Sequence, residues 1–172
     1  MINYELLNIS EAFKIKELCN ELMMYQKKLS SITPERFDSM SFETRFLPSL
    51  EKASENFILL ATSDDLPVGY VYCNISTKKV YDSDFATFFD MDSVDDEVGC
   101  LSQFYIKEGF RNKGIGSRLF DEGMKWLSSY DLKDLFIFVS NENDYALEFY
   151  KNKGFNHSHD ILDGFISVLR NS

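Results

Sequence analysis

A strand that runs into a glycine loop and then a helix constrains this chain more than any other feature. "EVGCLSQFYI" (97–106) is apolar enough to be a buried strand, and it feeds directly into "KEGFRNKGIG". From Gly114 to about Ser129 the chain turns amphipathic, with Ile115, Leu119, Gly123, Trp126 and Leu127 on one helical face. Such a strand–loop–helix leaves backbone N–H groups unpaired at the helix start, and the helix dipole makes that end attractive to a phosphate. Gly114 and Gly116 lack the Cβ atoms that would hold an anion off the main chain. Arg111 and Lys113 add charge at the rim, where a guanidinium can grip phosphate through two parallel contacts. Two familiar phosphate loops are excluded. No Gly-x-x-x-x-Gly-Lys-Ser/Thr string occurs, and Leu119 falls where a dinucleotide-binding loop would carry its third glycine.

The rest of the chain supplies a frame for this loop. "INYELL" (2–7) alternates as a first strand. An amphipathic helix follows over 10–30, with Ser10 as cap and Ile15, Leu18, Leu22 and Leu29 inward. Thr33 and Pro34 restart a helix, and the stretch to about 55 is helical or irregular, broken at Pro48. "NFILLAT" (56–62) and "VGYVYCNIS" (68–76) read as a hairpin. Residues 77–96 are less regular and carry Asp82, Asp84, Asp90, Asp92, Asp95 and Asp96. "LFIFV" (135–139) is a short strand covered on both faces. "NDYALEFYKNK" (143–153) is a helix capped by Asn143 and stopped by Gly154. "FNHSHDI" and "FISVL" flank a tight turn at Leu162-Asp163-Gly164. The expected fold is therefore α/β (α+β): one domain over 1–172, a mixed sheet of about six to seven strands flanked by helices.

Composition narrows the function. The 172 residues include 16 Phe and 9 Tyr, enough apolar material for a substantial core. A net charge of −10 argues against nucleic acid, whose binding relies on basic surface. It is compatible with a cationic substrate drawn to a negative cleft, and equally with acidity that only serves solubility. No apolar run approaches the roughly 20 residues of a membrane span, and no secretory signal is visible. Cys19, Cys73 and Cys100 form no pair motif, so a reduced, cytoplasmic protein is expected. The acidic stretch fails the calcium-loop template. His157 and His159 share a strand face without further apparent ligands, so no metal is expected.

"LSQFYIKEGFRNKGIGSRLFDEGMKWL" followed by "LFIFVSNENDYALEFYKNKGF" resembles the GNAT superfamily of acetyl-CoA-dependent N-acetyltransferases. Arg111-x-x-Gly114-x-Gly116 is similar to that family's pyrophosphate loop. Asn143, Ala146, Phe149-Tyr150 and Lys153-Gly154-Phe155 are similar to its second motif. The likeness is strong over 98–156 and looser over 2–76. It implies that the fourth strand splays from the fifth and that acetyl-CoA, a cosubstrate, enters the gap. The main chain of Phe104, Tyr105 and Ile106 would then meet the pantetheine amides. The amides of Asn112, Lys113, Gly114, Ile115 and Gly116 would hold the pyrophosphate, with Ser117 close by and Asn143 beside the arm. Tyr150 maps to the family's acid, which protonates the leaving thiolate, and a backbone N–H near Tyr105 would receive the oxyanion.

The general base is less defined. Many relatives carry a mid-strand carboxylate where this chain has Ser102 and Gln103. Glu97 could act directly or through water, or the acceptor amine could lose its proton before binding. The expected acceptor is a small-molecule or peptide amine, cationic if the acidic stretch forms a lip. A non-catalytic acyl-CoA-binding module is the rival reading, and edge strands make a homodimer plausible.

Overall fold

The computed structural model describes residues 1–83 and 86–171. One mixed seven-stranded sheet organises them, with strands β1 (Ile2–Leu7), β2 (Glu55–Ser63), β3 (Leu66–Thr77), β4 (Glu97–Ile106), β5 (Leu135–Ser140), β6 (Phe155–Ile161) and β7 (Ile166–Asn171). Their spatial order is β1-β2-β3-β4-β5-β7-β6, and only the β4–β5 pair is parallel. The hairpin between β2 and β3 turns at Asp64 and Asp65, both with positive φ, a conformation acidic and amide side chains tolerate in tight turns.

The helices are α1 (Lys16–Leu29), α2 (Leu47–Lys52), α3 (Ile115–Ser128) and α4 (Asp144–Asn152). The expected helix over 10–30 is a 3-10 segment, Ile9–Ile15, joined to α1, and its cap is Asn8 instead of Ser10. Asn8 accepts from the Glu11 amide while the Glu11 carboxylate accepts from the Asn8 amide, a reciprocal box that outcompetes a lone serine. Thr33 likewise caps nothing, because its φ of 43° turns it away from the helix it precedes. Pro48 does not break the chain. It lies in the first turn of α2, where its missing N–H costs nothing. The turn just before it, Phe42–Phe46, is a π-helix.

Two cores sandwich the sheet. On one face α3 and α4 bury Ile115, Leu119, Leu127 and Tyr150 against Leu59, Val71, Leu101 and Ile137. Gly123 lets α3 come close, since a Cβ there would stand 2.9 Å from the Cys73 sulfur. On the other face residues 9–50 bury Leu18, Leu22, Phe37 and Phe46 against Ile58, Leu60, Tyr70 and Tyr72. Residues 77–83 and 86–96 complete that second face. Tyr81, Phe88 and Phe89 pack on Phe136 and Phe138 of β5, so the acidic stretch is anchored by its aromatic residues.

β4 is irregular where the site lies. Tyr72 pairs with Gln103 but Cys73 with Leu101, so Ser102 is an extra residue without a partner on β3. Side chains alternate faces along a strand, so one extra residue reverses the alternation beyond it. Gln103 and Tyr105 therefore face α1, while Phe104 and Ile106 join the core under α3. The β4–β5 ladder covers only Gly99–Leu135, Cys100–Phe136 and Leu101–Ile137, and ends at the bulge. Past Leu101 the two strands part.

Candidate active site

A cavity of about 240 Å³ opens where β4 and β5 part, lined by Ser102, Gln103 and Phe104 of β4, by Phe138 and Ser140 of β5, and by Tyr150 of α4. A second hollow of about 40 Å³ adjoins it along Phe104, Tyr105 and Ile106, with Arg111 and Phe149 on its walls. Asn143 and Tyr150 line both. The strand edge, the loop and the α4 helix predicted from sequence thus meet at one gap.

The loop presents a helix start without a side-chain cap. Gly114 precedes Ile115 with φ of 82°, a left-handed conformation that favours glycine, and a Cβ there would meet no atom within 4 Å. The first amides of α3, at Ile115, Gly116 and Ser117, have no carbonyl one turn back to bond, and the space beside Gly114 is open. Asn112 is also left-handed, with φ of 61°, which bends Arg111–Gly114 into a concave turn. This arrangement fits a pyrophosphate. Gly116 turns its Cβ position away from the loop and toward β4. A Cβ there would stand 3.4 Å from the Phe104 ring, an ordinary packing contact.

Arg111 is committed within the protein. Its Nε donates to the Ile106 carbonyl at 2.9 Å, and its guanidinium lies 4.4 Å from the Tyr25 ring centroid, facing Tyr105 and Tyr145 more distantly. It clasps the end of β4 to α1, leaving the remaining guanidinium nitrogens at the gap. Lys113 lies over Phe110. Asn143 caps α4, its Oδ1 accepting from the Ala146 amide at 3.2 Å, while the residue is only 5% exposed and lines the cavity. Cap and cavity wall are one residue.

Tyr150 is buried among Phe104, Phe120 and Phe149, and its hydroxyl bonds to none of the described residues. Burial pushes the phenol well above its ordinary pKa, so it keeps its proton throughout the neutral range. Gln103 is a structural hub. Its Oε1 accepts from the Tyr70 hydroxyl at 2.7 Å and from the Cys19 thiol at 3.3 Å. Burial raises the Cys19 thiol to about 11 and the Cys100 thiol to about 12, and all three cysteines are free.

Glu97 does not join the site. It is exposed at the start of β4, five residues before the bulge, about 17 Å along the strand. It lines a separate surface hollow with Asp95, Asp96 and Lys133, and no carboxylate lines the central cavity among the described residues. The reason is its place in the strand: Glu97 pairs with Thr77 at the start of β4, at the end away from the gap. No described aspartate of the acidic stretch lines the central cavity, and several meet neighbours of their own. Asp82 bonds the Thr87 hydroxyl, Asp90 bonds the Asp92 amide, Asp95 pairs with Lys133 and Asp96 with Lys78. Asp84 lies outside the described residues. His157 meets Asp160 and His159 meets the Phe88 carbonyl, and the described residues hold no cluster of three or more metal-binding side chains.

Several cavity residues escaped sequence reasoning. Asn74 of β3 donates to the Tyr72 hydroxyl, but its Oδ1 is buried without a partner, and so is the Ser140 hydroxyl. Asn74 carried a signal, a lone amide inside the apolar run "VGYVYCNIS". Arg45 and Lys52 reach the cavity from the π-helix and α2, and no motif marks them.

Known proteins share this fold. The model of the acetyltransferase (GNAT) family matches residues 17–155. An uncharacterised N-acetyltransferase of Methanocaldococcus jannaschii is 20% identical over 171 residues, 96% of this chain and 70% of that protein. N-alpha-acetyltransferase 60 of Xenopus tropicalis is 30% identical over 116 residues, 65% of this chain and 48% of that protein, so the chain spans about half the length of that relative. Among solved structures, the PaiA N-acetyltransferase of Thermoplasma acidophilum in complex with coenzyme A aligns with a TM-score of 0.69 at 17% identity, covering 100% of this chain and 99% of that one. Arabidopsis thaliana Naa50, in complex with the bisubstrate analogue CoA-Ac-MVNAL, aligns at 0.59 and 16% identity, covering 99% and 98%. Among the described residues, no helix is long and apolar enough to cross a membrane.

Proposed function

The chain belongs to the acetyltransferase (GNAT) family, and on that premise we propose that it moves an acetyl group from acetyl-CoA directly to a primary amine of a small molecule or peptide. The observation that carries this reading is the parting of β4 and β5 with a protonated, buried Tyr150 beside the gap. The α3 amides at Ile115, Gly116 and Ser117 would hold the pyrophosphate, and the free edge of β4 past Leu101 would pair with the pantetheine arm.

The amine nitrogen attacks the thioester carbon. The new C–N bond forms as the carbonyl π bond opens to an oxyanion that a backbone N–H near Tyr105 would receive, and the C–S bond breaks as the carbonyl re-forms. Tyr150 gives its proton to the departing sulfur. The proton released from the nitrogen passes to water, which restores the phenol. With no carboxylate on the cavity wall among the described residues, the amine sheds its first proton to water before attack.

That same absence supports the second reading, a non-catalytic acyl-CoA-binding module. One relative is named N-alpha-acetyltransferase 60 and one structural neighbour was solved with the bisubstrate analogue CoA-Ac-MVNAL, which supports a peptide amine beside a small amine as acceptor. The test is thiol release from acetyl-CoA against amino acids, polyamines, aminoglycosides and peptides. Amine-dependent release is expected. Tight acetyl-CoA binding with no release across the panel would favour the binding module.

A further inference from the structure

We infer that the acceptor carries a carboxylate beside its amine, and that Arg45 and Lys52 receive this carboxylate at the outer wall of the cavity. The inference rests on the transfer reading above and names its substrate class, an amine of the amino-acid kind.

The charge of the cavity points this way. Among the described residues that line it, Arg45 and Lys52 are the charged side chains, and both are cations. The protein carries a net charge of −10, so a cavity wall with two cations and no anion runs against its overall balance. Neither side chain makes an ion pair with a described residue. The nearby carboxylate Glu43 is taken by Lys16 at 2.5 Å. Cations left unpaired at a pocket wall are suited to an anionic ligand, and a guanidinium matches a carboxylate through two parallel hydrogen bonds.

Their placement is built in. Arg45 belongs to the π-helix Phe42–Phe46, a rare local geometry that is frequent at functional sites. Phe42 and Phe46 stack at 5.3 Å, and Phe46 packs at 4.6 Å on Tyr72 of β3, which pins the turn to the sheet. A reciprocal pair of bonds between Ser41 and Thr44 fixes its start. Pro48, Ser49 and Lys52 continue the same lining surface into α2.

A second observation lies deeper. The Asn74 Oδ1 is a buried acceptor without a donor, and Asn74 is 4% exposed on the same cavity. An amine N–H would satisfy it. Cations outside and an unsatisfied acceptor inside fit a ligand with a carboxylate at one end and an amine at the other. The expected cationic acceptor, by contrast, meets no carboxylate on this wall among the described residues.

The test compares free amino acids with their carboxamides and with spermidine as acceptors, and titrates the CoA-loaded protein with N-acetyl amino acids and their amides. Free carboxylates should be favoured in both measurements. Arg45→Gln should raise KM for the carboxylate form about 10- to 100-fold, as loss of a charge-assisted bond does. It should leave the amide form and acetyl-CoA affinity unchanged, and Lys52→Gln should act in the same direction. Equal or better turnover of amides or spermidine would overturn the inference while leaving the transferase reading intact. Carboxylate-dependent product binding without turnover of any amine would keep the Arg45 site and overturn transfer.

Discussion

On the face covered by α3 and α4, the groups at the cavity follow from backbone rules: a helix start without a cap, a left-handed glycine, a strand edge released by a bulge, and an Asn cap. On the face covered by residues 9–52 and 77–96, the cavity is shaped by side chains at the ends of irregular turns, among them Arg45, Lys52 and Phe88. The first face can therefore serve a ligand shared by many proteins, because amides and helix dipoles recognise phosphate whatever the neighbouring side chains. The second is free to vary with the acceptor. A cosubstrate site ends, and a specificity site begins, where backbone groups give way to side chains as the cavity wall.

The largest effect is expected at Gly114. Gly114→Asp would set a carboxylate beside the α3 amides, and like charges placed together should weaken acetyl-CoA binding by about 100-fold or more. Calorimetric titration reads this directly, with circular dichroism to confirm the fold. Normal binding would move the pyrophosphate elsewhere and dissolve the contrast between the faces.

Tyr150→Phe should lower kcat on the order of 100-fold, the scale of general acid catalysis, with acetyl-CoA affinity nearly unchanged. The pH dependence has a definite sign. Burial raises the phenol, and loss of the acid form follows only above that raised pKa, so wild-type kcat should show no alkaline decline from Tyr150 through pH 10. An alkaline limb near the ordinary tyrosine value, absent in the Phe variant, would show the phenol to be less protected than its burial implies.

Gln103→Leu probes the other face. It removes the acceptor shared by Tyr70 and Cys19 and leaves a buried hydroxyl without a partner, which costs about 1–3 kcal/mol. Urea unfolding should record that loss, with acetyl-CoA affinity retained. A collapse of kcat without loss of stability would make Gln103 part of the reacting group instead of the scaffold.

Much of this was legible in sequence, and the misses have physical causes. The order of strands and helices, the loop from Arg111 to Gly116 and the Asn143 cap rest on local signals: periodicity, glycine and capping chemistry. The bulge at Ser102 does not, since nothing in "CLSQF" announces an extra residue and the register belongs to the pairing with β3. It decides that Gln103 faces Tyr70 and Phe104 faces α3, so a simple alternation along β4 misplaces the residues beyond Leu101. The cap at Asn8 prevailed over Ser10 because two bonds compete better than one. Arg45 and Lys52 become neighbours of β4 only through packing of Phe46 on Tyr72.

The smallest effect is expected at Glu97, and its smallness is informative. Glu97 was the one carboxylate that sequence placed on the reacting strand, yet it sits in the paired half of β4, opposite Thr77, on the far side of the bulge. Its neighbours are Asp95, Asp96 and Lys133 at the surface. A carboxylate there could reach the amine only through a long chain of water, and surface substitutions of this kind usually change little. Glu97→Gln should therefore leave kcat and KM within about twofold, and the rise of kcat/KM with pH should keep its midpoint. If the acceptor sheds its proton to water, that midpoint should instead follow the pKa of the amine across a series of acceptors. A midpoint fixed across the series but shifted by Glu97→Gln would assign the base to Glu97 and carry the reacting centre across the bulge, into the half of β4 that the sheet holds closed.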